Sequence, residues 1–214
     1  MGEIGKNMTA LEYEDDIIVI DCGVEFPDEE SPGVDAIIPD FSYLTENRDK
    51  IRGIFLTHGH EDHIGAIPYI VENLKAPVFG TPFTMALVEH KLIERKINAD
   101  LRTVREGAIV DAGCFSVEFI KVNHSMSGAC AFSIVTPLGV IYHSGDFKID
   151  YTPIDGKPAD LQRIAQIGAN GVMLMMGEST NVEKKGHSNS EKAAGDGLAE
   201  YFATYSDKRI LIAT

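Results

Sequence analysis

Apolar positions in this chain fall into short runs rich in β-branched residues. Ile17–Ile20, Ile54–Leu56, Phe115–Val122, Ala131–Val135, Val140–Tyr142 and Val172–Met175 each read as a buried strand bounded by turn residues. Pro137-Leu138-Gly139 reads as a hairpin joining two of them. Elsewhere the apolar spacing changes to three and four. Ile64, Ile67, Tyr69, Ile70, Val71 and Leu74 predict a helix over 64–74. Met85, Leu87, Val88, Leu92 and Ile93 predict one over 84–96, and a third covers 161–167. Ser188 with Glu191 three positions later reads as a capping box. It opens a helix to about Tyr205 with Leu198, Tyr201, Phe202 and Tyr205 as its apolar stripe. Arg209–Thr214 then reads as a further buried strand. Strands with intervening helices predict two packed sheets covered by helices, an α+β fold.

Bulk properties narrow the class. The chain has 214 residues, enough for one domain and part of a second. Hydrophobic residues make up 44% and charged residues 24%, which places it among globular proteins. No apolar stretch approaches the ~18–20 residues of a membrane helix, so no membrane role is expected. The start, Met-Gly-Glu-Ile-Gly-Lys-Asn, has neither the basic nor the apolar segment of a secretory signal. Cys22, Cys114 and Cys130 are odd in number and lack C-x-x-C spacing. They read as small hydrophobes of a reducing compartment, and a cytoplasmic location is expected.

The chemistry is concentrated in Thr57-His58-Gly59-His60-Glu61-Asp62-His63, directly after an apolar run. Three histidines and an aspartate fall within six positions at the end of a predicted strand. Imidazole suits zinc and related transition metals, and a carboxylate extends the choice to manganese. Gly59 permits the sharp turn that aims such side chains at one place. The bland alternative is a solvated polar turn. His124 follows the run Phe115–Val122, Asp146 follows Val140–Tyr142, and Asp21 closes the run Ile17–Ile20. Each stands at the C-terminal end of a predicted strand, where open sheets place their sites.

The H-x-H-x-D-H run, with His124, Asp146 and Asp21 following the same order, resembles the metallo-β-lactamase superfamily. Three further blocks narrow the resemblance: Glu3-Ile4-Gly5-Lys6-Asn7-Met8, Gly145-Asp146-Phe147-Lys148-Ile149-Asp150-Tyr151-Thr152-Pro153 and Glu178-Ser179-Thr180-Asn181-Val182-Glu183. Together they are similar to the ribonuclease J family of the β-CASP nucleases. The resemblance implies a metallo-β-lactamase-type αββα sandwich. On this reading residues 1–187 form that domain, incomplete, and 188–214 begin an inserted β-CASP domain, cut short.

The resemblance also implies the site. His58, His60 and His124 would hold one divalent ion, Asp62 and His63 a second, and Asp146 would bridge the two. Zinc is the first choice and manganese the alternative. Metal-activated hydroxide would hydrolyse RNA phosphodiesters by in-line attack, with two ions roughly 3.5–4 Å apart sharing it. Asp62, Asp146 and Glu178 are the implied catalytic carboxylates. Asp21 would orient the H-x-H loop, the alternative being an Asx-turn before Gly23. Glu178 would hydrogen-bond a ligand histidine, the alternative being a surface acid. The implied substrate is RNA, preferably with a 5′-monophosphate, and the implied whole protein is a homo-oligomer. A thioesterase or lactonase of the same superfamily and a non-catalytic RNA-binding paralogue are the competing readings.

Two features cut against the resemblance. The net charge of −14 is awkward for a nuclease, because phosphate binding draws on Lys and Arg. Ser125-Met126-Ser127-Gly128 departs from the family's usual Ile-Pro-Asp after the motif histidine, which bears on substrate contacts near His124. The remaining histidines receive no metal role: His143 reads as a packed strand residue, His90 as a solvated helix residue and His187 as turn chemistry.

Overall fold

The run Ile17-Ile18-Val19-Ile20 decides the layering. All four side chains are buried, yet side chains alternate across a strand and cannot share a face. Ile17 and Val19 join one apolar cluster, and Ile18 and Ile20 join another. The strand that carries them is therefore covered on both sides.

The computed structural model describes residues 5–27 and 31–212. Glu3 and Ile4 of the first family block, and Ala213 and Thr214 of the last predicted strand, lie outside the described residues. One sheet has the order β1 (Thr9–Tyr13), β2 (Asp16–Ile20), β3 (Ile51–Phe55), β4 (Val78–Gly80) and β5 (Leu101–Thr103). Its first pair is antiparallel and the others are parallel. The second sheet has the order β10 (Leu174–Met176), β9 (Gly139–His143), β8 (Cys130–Thr136), β7 (Phe115–Lys121) and β6 (Ile109–Ala112). It is antiparallel except for the β9–β10 pair.

The helices are α1 (Ser42–Glu46), α2 (Glu61–Ile64), α3 (Ile67–Leu74), α4 (Pro82–Arg95), α5 (Leu161–Asn170) and α6 (Glu191–Thr204). Ile67, Ile70 and Leu74 of α3 and Met85, Val88 and Leu92 of α4 cover the outer face of the first sheet. Ile18, Ile20, Phe55 and Phe79 meet Val117, Phe119, Phe132 and Ile134 between the sheets. Phe119 and Phe132 pack edge to face at 4.8 Å, and Phe55 lies 6.2 and 6.4 Å from them. Burying each such ring contributes roughly 1.5–3 kcal/mol. Ile164 and Ile167 of α5 cover Ile120, Val122 and Tyr142 on the far face of the second sheet. Helix, sheet, sheet and helix thus stack in order, the expected αββα sandwich.

Several local expectations change. The helix read over 64–74 is two helices. The Ala66 amide donates to the Cys22 carbonyl at 2.8 Å, and Pro68 has no amide to offer the preceding turn. At α6 the cap is Ser190, whose hydroxyl accepts from the Ala193 amide, so Ser188 caps nothing. Glu191 turns away from its helix, accepts from the Ile154 amide and pairs with Lys148 at 2.9 Å. The stripe on α6 exists, but none of its residues is buried. Residues 209–212 form no strand, because no described segment lies beside them to complete a ladder. Strands β1, β4, β5 and β6 went unread, being short or polar. No disulfide joins the cysteines, and Cys22 and Cys130 are buried. Among the described residues no helix is long and apolar enough to cross a membrane.

Candidate metal centre

Four strand ends converge at one edge of the sandwich. β2 delivers Asp21, β3 delivers the loop 57–60 that runs into α2, β7 delivers His124 and β9 delivers Asp146. Gly59 serves this loop differently from the sequence reading. Its φ is not left-handed; a Cβ there would stand 2.5 Å from Leu87 Cδ1 of α4. What the missing side chain allows is close packing.

His58, His60 and His124 come together. His60 Nδ1 lies 2.9 Å from His58 Nε2 and 3.0 Å from His124 Nε2. Ligand nitrogens around a tetrahedral zinc, with Zn–N of about 2.0–2.1 Å, stand roughly 3.3 Å apart. The nitrogen donors suit a divalent transition-metal ion, and in the structure they stand slightly closer together than that spacing. His58, His63 and Asp146 form a second group of donors, each atom within 4.8 Å of the others. The two oxygens of Asp146 face different histidines: Oδ1 is 3.5 Å from His63 Nε2 and Oδ2 is 3.8 Å from His124 Nε2. Asp62 stands beside the second group, with Oδ2 3.6 Å from His63 Nε2, and belongs to neither tight set.

Asp21 is buried beneath this cluster with a left-handed φ of 59°. It accepts from the Thr57 amide (2.8 Å), the Thr57 hydroxyl (2.8 Å) and His63 Nδ1 (2.8 Å). These bonds tie the donor loop and α2 to the end of β2. Glu178 follows β10. Its amide donates to the Ser144 hydroxyl, and its Oε2 accepts from the Thr180 amide at 2.9 Å. Among the described residues its carboxylate makes no hydrogen bond to a histidine. It lines a cavity of about 370 Å³ together with Asn7, His63, His143 and Asp146. His143 Nδ1 accepts from the Gly145 amide, and its ring joins neither donor group. His90 is exposed on α4 near Glu94, and His187 is exposed.

Two contributors escaped sequence reading. The Asn7 amide reaches Asp62 and His63. Buried Asn123 accepts from the Ala159 amide and bonds the Lys157 carbonyl, while its backbone bridges to Lys148. It thereby fixes His124 against the segment after Asp146. Neither carries a ligand signature, and Asn7 was visible only inside a family block.

Burial, helped by the charge of His63, pushes His58 down to about 3, and burial lowers His124 as well. Burial would also depress His63, but Asp21 and Asp146 outweigh it and hold its pKa at about 10. Burial opposes the charge of Asp146, and His63 overcomes this to hold it at about 2. At neutral pH His58 and His124 are therefore unprotonated, the form a cation needs. His63 contributes stability below its ordinary 6.5 that is lost as pH rises through about 10. His58 contributes stability above 6.5 that is lost as pH falls toward about 3. Chelator-treated protein should therefore melt highest near pH 6.5 and lower on both sides; a Tm that climbs steadily to pH 10 would contradict these assignments.

The model of the Metallo-beta-lactamase superfamily matches residues 1–164. The chain belongs to the metallo-beta-lactamase superfamily. Within the superfamily it is similar to ribonuclease J of Helicobacter pylori, 42% identical over all of this chain and 31% of that protein. Ribonuclease J of Synechocystis is 43% identical over 99% of this chain and 34% of its own length. That of Mycobacterium tuberculosis is 42% identical over 100% and 38%. The chain thus spans between 31% and 38% of the length of these relatives. In fold it is similar to a crystal structure of a protein of unknown function from Enterococcus faecalis, with a TM-score of 0.65. That match covers 94% of this chain and 55% of the other at 20% identity.

Proposed function

We propose that this chain carries the metal-binding core of a ribonuclease of the ribonuclease J type, hydrolysing RNA phosphodiesters in RNA maturation and decay. The observation that carries the reading is Asp146, whose two oxygens face the two donor groups, in a chain similar to ribonucleases J along its whole length. His58, His60 and His124 would hold one ion, and Asp62 and His63 the other, with Asp146 between them. When bound, the ions supply Lewis-acid stabilisation of phosphoryl charge and a water of lowered pKa. Zinc is the first choice and manganese the second.

The protein's own part is positioning. Asp21 sets the orientation of His63 through Nδ1, leaving Nε2 toward the donors. Burial keeps His58 and His124 unprotonated. The cavity beside His63 and Asp146 offers the space next to the reacting centre, with Glu178 at its wall. In this reading residues 1–187 form the metallo-β-lactamase domain and 188–214 open a β-CASP domain. The substrate is RNA with a 5′-monophosphate, the location is the cytoplasm, and the full-length protein is a homo-oligomer. This chain alone would turn over poorly.

Hydrolysis of 5′-monophosphorylated RNA by the full-length protein tests the reading. Asp146→Ala should lower the rate on the order of 10³-fold, the size expected for loss of a principal charge-organising group. Near-normal turnover in that variant would refute the bridging role.

A further inference from the structure

The segment ahead of β1 reaches the donor cluster through one neutral side chain. Asn7 is docked by its backbone: its amide donates to the Asp62 carbonyl at 3.1 Å, and its carbonyl accepts from the Gly23 amide at 2.9 Å. Its side-chain Nδ2 then stands 3.1 Å from the Asp62 carbonyl, 3.2 Å from Asp62 Oδ2 and 3.1 Å from His63 Nε2. We infer that Asn7 is a positioning residue of the second cation site, clamping the Asp62 carboxylate so that it and His63 Nε2 address one ion.

The orientation of the amide follows from its neighbours. A backbone carbonyl only accepts, so the group facing the Asp62 carbonyl must be the NH2 end. An amide turned the other way would set its oxygen against the Asp62 carbonyl and carboxylate together. Asn7 is therefore a donor here and supplies no oxygen to a metal. Its two hydrogens match two acceptors on the same residue, the backbone oxygen and Oδ2 of Asp62. With both occupied, the Asp62 side chain is held relative to its own backbone. His63 Nε2, the third neighbour, needs no bond from Asn7 once a cation takes its lone pair.

The first donor group is held differently. Among the described residues Asn7 makes no hydrogen bond to His58, His60 or His124, and the Thr57 hydroxyl stands 3.0 Å from His58 Nδ1 instead. The two ion sites should therefore respond differently to the same substitution. Groups that orient metal ligands are typically worth 10–100-fold in metal affinity.

The inference rests on the two-ion reading above, and the experiment separates the two. The protein is stripped with chelator and titrated with cobalt(II), followed by calorimetry and the visible absorption of bound cobalt. Wild type should take up two ions in distinguishable steps. Asn7→Ala keeps both backbone bonds, so the loop stays docked. It should weaken the second step roughly 10–100-fold, leaving the first step, its absorption band and the thermal midpoint of the stripped protein unchanged. Asn7→Ser, which restores one donor on a shorter arm, should recover part of the loss. Equal second steps in wild type and Asn7→Ala would overturn the role of Asn7. Equal weakening of both steps would overturn it in favour of general loosening of the loop. Wild type that binds one ion only would overturn the two-ion reading itself, and this inference with it.

Discussion

Gly23→Ala is expected to unseat the turn that carries Asp62 and His63, since among the described glycines a Cβ would meet its neighbours most closely there. A Cβ at position 23 would overlap the Asp62 carbonyl group and lie 2.8 Å from the His63 amide nitrogen. These are backbone atoms and cannot swing aside as a side chain would. The turn is also pinned to the same strand end from both directions. The Cys22 amide donates to the His63 carbonyl at 2.7 Å, and the Val24 amide to the Glu61 carbonyl at 3.1 Å. The Gly23 amide holds the Asn7 carbonyl. Making room for one carbon therefore breaks a zipper of backbone bonds, each worth about 0.5–1.5 kcal/mol, and adds overpacking of about 1–3 kcal/mol. A loss of roughly 3 kcal/mol or more is expected, which lowers Tm by about 6–12 °C in a chain of this size. Divalent ion content should fall with it, the second ion first. A variant that melts like wild type and keeps its ions would show that the close approach is not maintained in solution.

Asp21→Ala is expected to be nearly as damaging, for an electrostatic reason. The carboxylate is buried and receives the Thr57 amide, the Thr57 hydroxyl and His63 Nδ1. Burial opposes its charge, and the neighbouring imidazoles, His63 first, still hold its pKa below the ordinary value. Removing it strands three donors, one of them charged, at a buried position. Breaking such a buried pair from one side costs about 3–5 kcal/mol. The backbone adds to this, since φ at Asp21 is 59°, a conformation that Asp and Asn tolerate better than Ala. Asp21→Asn keeps that tolerance and one acceptor while removing the charge. It should lose less stability than Asp21→Ala, and the pKa of His63, followed by NMR, should fall from about 10 toward its ordinary 6.5. Equal melting of the two variants, or an unmoved His63, would show that the ion pair does not hold this site together.

Much of the fold was legible because its strands are strongly apolar. Runs such as Ile17–Ile20 and Ala131–Ile134 are buried on both faces, and such strands announce themselves without partners. Strands β4 and β5 are three residues each, and β5 is Leu-Arg-Thr; only the edge of an existing sheet makes them strands. Arg209–Ile212 shows the converse, an apolar run that is no strand because no described strand pairs with it. The predicted cap at Ser188 failed although its spacing to Glu191 is that of a capping box, because Ser190 takes the Ala193 amide and Glu191 is engaged elsewhere. Lys148 and Ile154 draw Glu191 away from its own helix.

The site divides along the same line. The sequence by itself determined the donor chemistry: three histidines and an aspartate crowded into one turn, with His124 and Asp146 each following an apolar run. Ligand types and local spacing are properties of the chain, and they were readable there. Only the tertiary structure decided which atoms face one another, because that depends on four strand ends meeting at one edge. It set the two oxygens of Asp146 toward different histidines, directed the Glu178 carboxylate to the Thr180 amide, and placed the amide of Asn7 against a turn 55 residues away. It also gave Gly23 and Gly59 their meaning. A glycine in a sequence declares an absence of side chain, and only packing shows which neighbour needs the space.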